Sequence, residues 1–446
     1  MKTDPRDTFL KRDKYPVAAR ILLAVLCCAI WLPACAVTPL RTRPLPEELS
    51  GRIKVLGQWE IRTWGDERPE KFNRMIAAGK TSARLKQVAE QFRKAPSFLS
   101  ISGGGANGAY GAGLITGWTR SGRRPSFSIV TGVSTGALIA PFAFLGPEYD
   151  WVLEEIYNFH GTDDLVNVRA LVSSIFSDSF LDSAPLKERI ANYFTLDEME
   201  VIAEEHRRGR VLLIGTTDMD ALRPVVWNIG KIAELGTPEA LDLIHRIMLA
   251  SASIPVAFPP VIINISRQGK VYQELHADGG VTNQVFLFPP DLDWAGFVGQ
   301  FNLRQKPDLY IIRNDRLSAT FESTPARLLP LAKRSIDGLI RTQGIGDLFR
   351  LYVIAAKNNF NYFLAHVPND FKVETDELFD PDYMRPLFQI GRRQGLQGGC
   401  WLSTPPGLTK TAGGSGKNST GGCTPEAESD SGRSDRAKQP TDSRKE

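Results

Sequence analysis

Short apolar runs alternate with longer helix-like stretches through the middle of the chain. Phe98-Leu99-Ser100-Ile101-Ser102, Ile129–Thr131, Val211–Thr216, Val271–Leu275 and Leu309–Arg313 are too short for helices and fit buried strands. Leu138–Leu145 and Ala240–Ala250 read as helices between them. This alternation predicts an α/β fold of three layers around a mainly parallel central sheet. Residues 49–95 carry a charged helical pattern, strongest from Lys71 to Lys94. Pro325 to Phe360 is also helix-like. Its Leu328, Leu329, Ala332, Ile336, Leu339 and Ile340 recur every three or four positions on one face, which reads as core, and Pro330 starts or kinks the helix.

The ends follow other rules. After a basic region closing at Arg20, an uncharged apolar run from Ile21 to Trp31 is too short to span a bilayer and suits the core of a signal peptide. Leu32-Pro33-Ala34-Cys35 follows and resembles the lipobox of bacterial lipoproteins, in which the cysteine becomes the lipidated first residue. Residues 1–34 are therefore expected to be a signal peptide, and 35–95 an anchor tether and helical segment. The main α/β domain with its helical extension is placed at 96–390. From Ser403 to Glu446 the chain is Gly, Ser, Thr, Pro and charge, and is expected to lack a fold of its own.

Charge and cysteines change this picture little. Removing residues 1–34, with six basic and three acidic side chains, from totals of 54 and 50 leaves 48 and 47. Such a balance gives no reason to expect nucleic acid as a partner. Of five cysteines, Cys27 and Cys28 leave with the signal peptide and Cys35 takes lipid, leaving Cys400 and Cys423, which can close one disulfide. The histidines and cysteines have no metal-ligand spacing, so no metal site is expected.

Three motifs carry chemistry. Gly132-Val133-Ser134-Thr135-Gly136 follows a strand and precedes a helix, the context of a nucleophile elbow. Gly132 and Gly136 let the backbone pass closely around a strained serine. Gly103-Gly104-Gly105-Ala106-Asn107-Gly108 lies at another strand end and exposes backbone N–H groups suited to a developing oxyanion. Gly103, Gly105 and Gly108 also satisfy a dinucleotide-binding pattern. That pattern needs an acidic residue about twenty positions on, and Ser126–Val130 contains none. Asp278-Gly279-Gly280 can turn a carboxylate into a cleft at the end of the Val271–Leu275 strand, or can be a plain tight turn.

In this order, and with Ala250–Pro260 between the last two, the motifs resemble the patatin-like phospholipase family over about Phe98 to Asp315. The resemblance implies a patatin-like fold and a lipid acyl hydrolase without cofactor. Ser134 would be the nucleophile, Asp278 its partner, and Gly104 and Gly105 the oxyanion donors. Asn107 stands where many members carry Lys or Arg, which argues against a strong preference for anionic phospholipid. Two other readings stay open. One is a Ser–Asp–His esterase using His366, or His276 two residues before Asp278; the other is a non-catalytic envelope protein that binds lipid or a partner. The expected partners are an acyl lipid substrate and a membrane surface reached through the Cys35 anchor. The expected location is the bacterial cell envelope, at the outer membrane of a Gram-negative cell.

Overall fold

In the computed structural model the described residues are 41–408, apart from 52, 60, 69, 80, 95, 160, 166, 169–180, 288–291, 304, 374 and 376. The expectations for the signal peptide, Cys35, Cys423 and residues 409–446 lie outside them. Cys400 is disulfide-bonded.

The strands are β1 (Arg62–Trp64), β2 (Ser97–Ile101), β3 (Ile129–Val133), β4 (Asn167–Val168), β5 (Leu181–Asp182), β6 (Val211–Asp218), β7 (Arg223–Asn228), β8 (Val261–Arg267), β9 (Lys270–Asp278), β10 (Asp308–Arg313) and β11 (Asn361–His366). The helices are α1 (Glu70–Ala77), α2 (Ala83–Lys94), α3 (Gly108–Arg120), α4 (Thr135–Leu145), α5 (Asp150–Phe159), α6 (Thr162–Leu165), α7 (Ala184–Tyr193), α8 (Leu196–Arg207), α9 (Ile229–Ala233), α10 (Pro238–Ser251), α11 (Trp294–Gln300), α12 (Leu328–Lys357) and α13 (Pro381–Leu396).

Nine strands form one sheet with a central path β1-β7-β6-β3-β2-β10-β11, and β4 pairs with β5 apart from it. From β6 to β11 every neighbour is parallel. These strands are covered on both faces, which is why β2 and β3 are buried at every position and read as continuous apolar runs. Two apolar clusters, one on Leu99, Val130 and Ile214 and the other on Phe98, Ile129 and Leu309, are built by alternate residues of the same strands, as a sheet with helices on each side requires.

Beyond β6 the sheet turns antiparallel, through β7 and β1 along the main path and through β9 and β8 off it. β1 was not foreseen: a three-residue strand interrupts the region read as helical, where α1 and α2 do form. β6 is the hinge of the architecture. Its residues 211–215 pair with β3, and 216–218 pair along the same sheet with β9 running the opposite way. Val133 faces Gly215 and Asp278 faces Thr216, so the last residues of β3 and β9 arrive at adjacent positions of one strand.

The helix after the glycine loop, α3, is clasped by α13. A methyl group on Gly113 or Gly117 would meet the Phe388 or Arg392 carbonyl oxygen at 2.0 or 2.1 Å, and one on Gly391 or Gly395 would meet the Tyr110 or Leu114 oxygen at 2.2 or 2.3 Å. Four glycines, spaced four apart on each helix, thus let the two backbones touch.

Among the described residues no helix is long and apolar enough to cross a membrane. The apolar face expected to be core in α12 divides. Leu348, Leu351 and Ala355 are buried, but Leu328, Leu331, Ile336 and Leu339 are exposed. The physical reason is rotation: at about 100° per residue, the stripe of the first half is offset from that of the second by roughly 160°.

Candidate active site

Ser134 follows β3 and caps α4 with φ 55° and ψ −127°, a conformation L-residues avoid. The surroundings hold it there. A methyl on Gly132 would meet the Gly136 oxygen at 2.3 Å, and one on Gly136 would meet the Ile101 oxygen at 2.4 Å. The Ser134 N–H donates to Ser251 Oγ at 2.9 Å, and that hydroxyl donates to the Gly215 carbonyl at 2.6 Å. Ser251, the last residue of α10, thereby pins the elbow to β6. Its segment was singled out in the sequence only by resemblance, and its role was not legible there.

Asp278 ends β9, as expected, and is almost wholly buried, like Ser134. Its backbone N–H donates to the Ser253 carbonyl, and Thr217 Oγ1 donates to its own carbonyl oxygen at 3.0 Å. The Gly280 N–H donates to Oδ1 at 2.6 Å. Burial raises the carboxyl pKa to about 7, against the opposing pull of the Ser134 hydroxyl and the Gly280 N–H. Oδ2 is buried and closes no hydrogen bond. The Ser134 hydroxyl therefore acts from beside the carboxylate, near but short of full bonding geometry.

The glycine loop lies against this pair. A methyl on Gly103 would stand 3.1 Å from Ser134 Cβ. Gly104 has φ 155° and Gly105 φ 55°. Among the described residues no acceptor takes either N–H. Asn314, just after β10, holds the loop: its N–H donates to Ser102 Oγ, its Nδ2 to the Ser102 carbonyl, and its Oδ1 accepts from the Gly111 N–H. It packs so closely that a methyl on Gly104 would meet its carbonyl oxygen at 2.0 Å. Gln284 ties loop to turn, accepting from the Gly103 N–H and donating through Nε2 to the Gly280 carbonyl at 2.8 Å. Neither residue was picked out from sequence; the only signal was a polar residue at a strand's carboxyl end in Asn314, where α/β sheets build sites. Gly108 also touches the elbow, with a methyl there 2.1 Å from Thr135 Oγ1, and a methyl on Gly279 would meet the Gly215 oxygen at 2.5 Å. Asn107 does not point free into the site, since its Oδ1 accepts from the Tyr383 hydroxyl of α13.

Both histidines are bonded to partners other than Ser134 and Asp278. His366 ends β11, three strands from β3 and so roughly 14 Å away at ordinary strand spacing. Its Nδ1 bonds the Val367 carbonyl. His276 is fully buried, with Nδ1 on Thr216 Oγ1 at 3.0 Å and Nε2 on Glu274 at 3.1 Å. Arg62 completes that network, 2.9 Å from Glu274 and 3.5 Å from Asp218. Burial pushes Glu274 up, but His276 and Arg62 together hold its pKa below the usual value. Asp218, Glu274 and His276 bring donor atoms within 4.8 Å of one another, an arrangement that could suit a metal, but the Arg62 guanidinium already supplies the positive charge.

A cavity of about 420 Å³ opens beside the pair. It is lined by Val133 and Gly279, the chain neighbours of Ser134 and Asp278, together with Thr216, Phe286, Leu287 and Leu351, and not by Ser134 or Asp278 themselves.

Residues 99–290 match the family model of the patatin-like phospholipases. The chain contains a patatin-like phospholipase domain. All three motifs fall within the match, in a mixed α/β fold with a mostly parallel, helix-flanked sheet. VipD from Legionella pneumophila is a similar solved structure, at 14% identity and a TM-score of 0.33, over 68% of this chain and 66% of VipD. The chain thus spans just under two thirds of that protein. No curated protein is matched. A patatin-like domain carries lipid hydrolase activity as a class.

Proposed function

We propose that this protein hydrolyses acyl esters of glycerolipids or phospholipids with Ser134 as nucleophile and Asp278 as the only base. The observation that carries the reading is the buried, unbonded Asp278 Oδ2 beside a strained serine at a helix N-terminus. A carboxyl with a pKa of about 7 is matched to taking a proton near neutrality.

Ser134 Oγ attacks the ester carbonyl carbon and its proton passes to Asp278. The carbonyl oxygen becomes an oxyanion, for which the uncommitted N–H groups of Gly104 and Gly105 are the donors at hand. The tetrahedral intermediate collapses, the bond to the alcohol oxygen breaks, and Asp278 returns the proton to that oxygen. Water then attacks the acyl-serine with Asp278 again as base, releasing fatty acid and restoring the hydroxyl. The distance of His366 and the saturated bonds of His276 favour this dyad over a triad.

The test is purified protein against a panel of short-chain esters and phospholipids, with Ser134→Ala as control. Hydrolysis by the wild type and none by the variant supports the reading. No hydrolysis of any ester would leave the non-catalytic reading in its place.

The proposal extends to location. The lipobox-like Leu32–Cys35 supports lipidation of Cys35 and residence at the outer membrane of a Gram-negative envelope. Cys35→Ser should then move the protein to the soluble fraction or leave it unprocessed. A soluble wild type with an unmodified mature N-terminus would end that part of the proposal.

A further inference from the structure

The exposed half of α12 has a composition and a direction that its neighbours do not explain. On a helix turning about 100° per residue, Leu328, Leu331, Ala332, Ile336 and Leu339 share one half of the circumference. Lys333, Arg334, Asp337 and Arg341 occupy the other. Leu328 is 83% exposed and Leu339 71%. The segment that carries Phe321, 96% exposed, is tied to the charged half of the same helix, where Arg334 bonds the carbonyl of Thr320 and pairs with Glu322 at 3.3 Å. From Thr320 to Arg341 four cations (Arg327, Lys333, Arg334, Arg341) stand against Glu322 and Asp337.

The helix also points the right way. One turn beyond Leu339, Gln343 falls within the apolar arc, toward its Ile336 border, and donates through Nε2 to the Val281 carbonyl at 3.3 Å. Val281, itself exposed, follows the Asp278-Gly279-Gly280 turn directly. The apolar face therefore looks out on the side of the helix where the proposed base is delivered. Further along, Arg350 and Leu351 of the same helix line the cavity that Val133 and Gly279 also line.

We infer that residues 321–340 dock on a lipid surface bearing anionic headgroups, burying Phe321, Leu328, Ile336 and Leu339 among the acyl chains and setting the site mouth against its substrate. A convex ridge with an apolar half and a basic half is the form of an interfacial helix. Cations at the borders reach headgroups while their stems lie along the apolar layer. A protein groove would instead need to enclose a ridge rimmed by charge. This inference rests on the proposed lipid hydrolase reading, yet docking can be measured without turnover.

The experiment uses the full chain carrying Ser134→Ala and Cys35→Ser, so that neither hydrolysis nor a lipid anchor contributes. Hydrogen exchange is followed with vesicles of phosphatidylcholine, with and without phosphatidylglycerol. Protection should appear in residues 321–340, more strongly on the anionic vesicles. Leu328→Asp with Leu339→Asp should weaken vesicle affinity by about tenfold or more, at an unchanged Tm. In a chain with Ser134 intact, the same double change should slow turnover of vesicle lipid and spare a soluble short-chain ester. If the wild type turns over neither substrate, the hydrolase reading fails while the exchange result still stands. An unprotected segment 321–340 on both vesicles overturns the docking inference. So does protection that grows with protein concentration alone, together with a dimer mass in sedimentation, because a second copy would then be the occupant.

Discussion

The two halves of the sheet deliver the two principal side chains by different means. The parallel half, β11-β10-β2-β3-β6, presents Ser134 through a local device: a buried strand, a glycine-flanked turn and a helix, all within 129–145. The antiparallel half presents Asp278 through a long-range one. β9 must leave β8, pair with the last residues of β6 and stop where β3 stops. It is held there by the buried Arg62–Glu274–His276 network, and β1 supplies the arginine. The proposed nucleophile is specified by five consecutive residues, whereas its proposed partner depends on strand register set across the whole sheet.

The largest test of this division removes the residue that the antiparallel half delivers. Asp278→Asn is expected to lower kcat/KM by on the order of 10⁴-fold or more, and the double variant with Ser134→Ala should be little worse than either alone. In the wild type, activity should climb as pH rises through about 7, where Asp278 ionises. Stability moves the other way. The folded carboxyl titrates near 7 and the unfolded one near 3.8, so its stabilising share is complete below the lower value and lost as pH rises through the upper. Asp278→Asn should therefore melt above the wild type at alkaline pH, by up to about 4 kcal/mol. Substantial activity in the variant would break the dyad.

Next comes the support of β9. Arg62→Ala leaves Glu274 and Asp218 buried without their cation and should cost about 3–5 kcal/mol in denaturant unfolding. A Tm shift with no loss of activity would show that Asp278 is held without the network. A smaller effect is expected on the parallel side. Ser251→Ala strands the Ser134 N–H and should cost about 1–3 kcal/mol, appearing in kcat more than KM. The smallest belongs to His366→Ala, which should leave kcat/KM within about twofold and the pH profile in place. A loss of the neutral limb there would restore the triad.

What was legible in the chain follows the same line. The buried parallel strands, the elbow, the glycine loop and the Asp-Gly-Gly turn could all be read, because each is written in a few neighbouring residues with a strict steric demand. β1 was missed, since three residues pairing with β7 leave no periodicity. Ser251, Gln284 and Asn314 were not recognised, because a hydrogen bond across 36 to 212 positions, such as those from Ser251 to Gly215, from Gly103 to Gln284 and from Asn314 to Ser102, has no local signature. The apolar face of α12 was visible, but its direction was not: helical spacing states which residues lie together and says nothing about which way the face points. The sequence by itself determined the α/β class and the candidate chemistry, through strand-length apolar runs and glycines that no larger residue can replace. Only the tertiary structure decided that Ser134 and Asp278 meet, that both histidines are bonded to other partners, and that half of α12 faces outward, because each depends on register and rotation between elements distant in the chain.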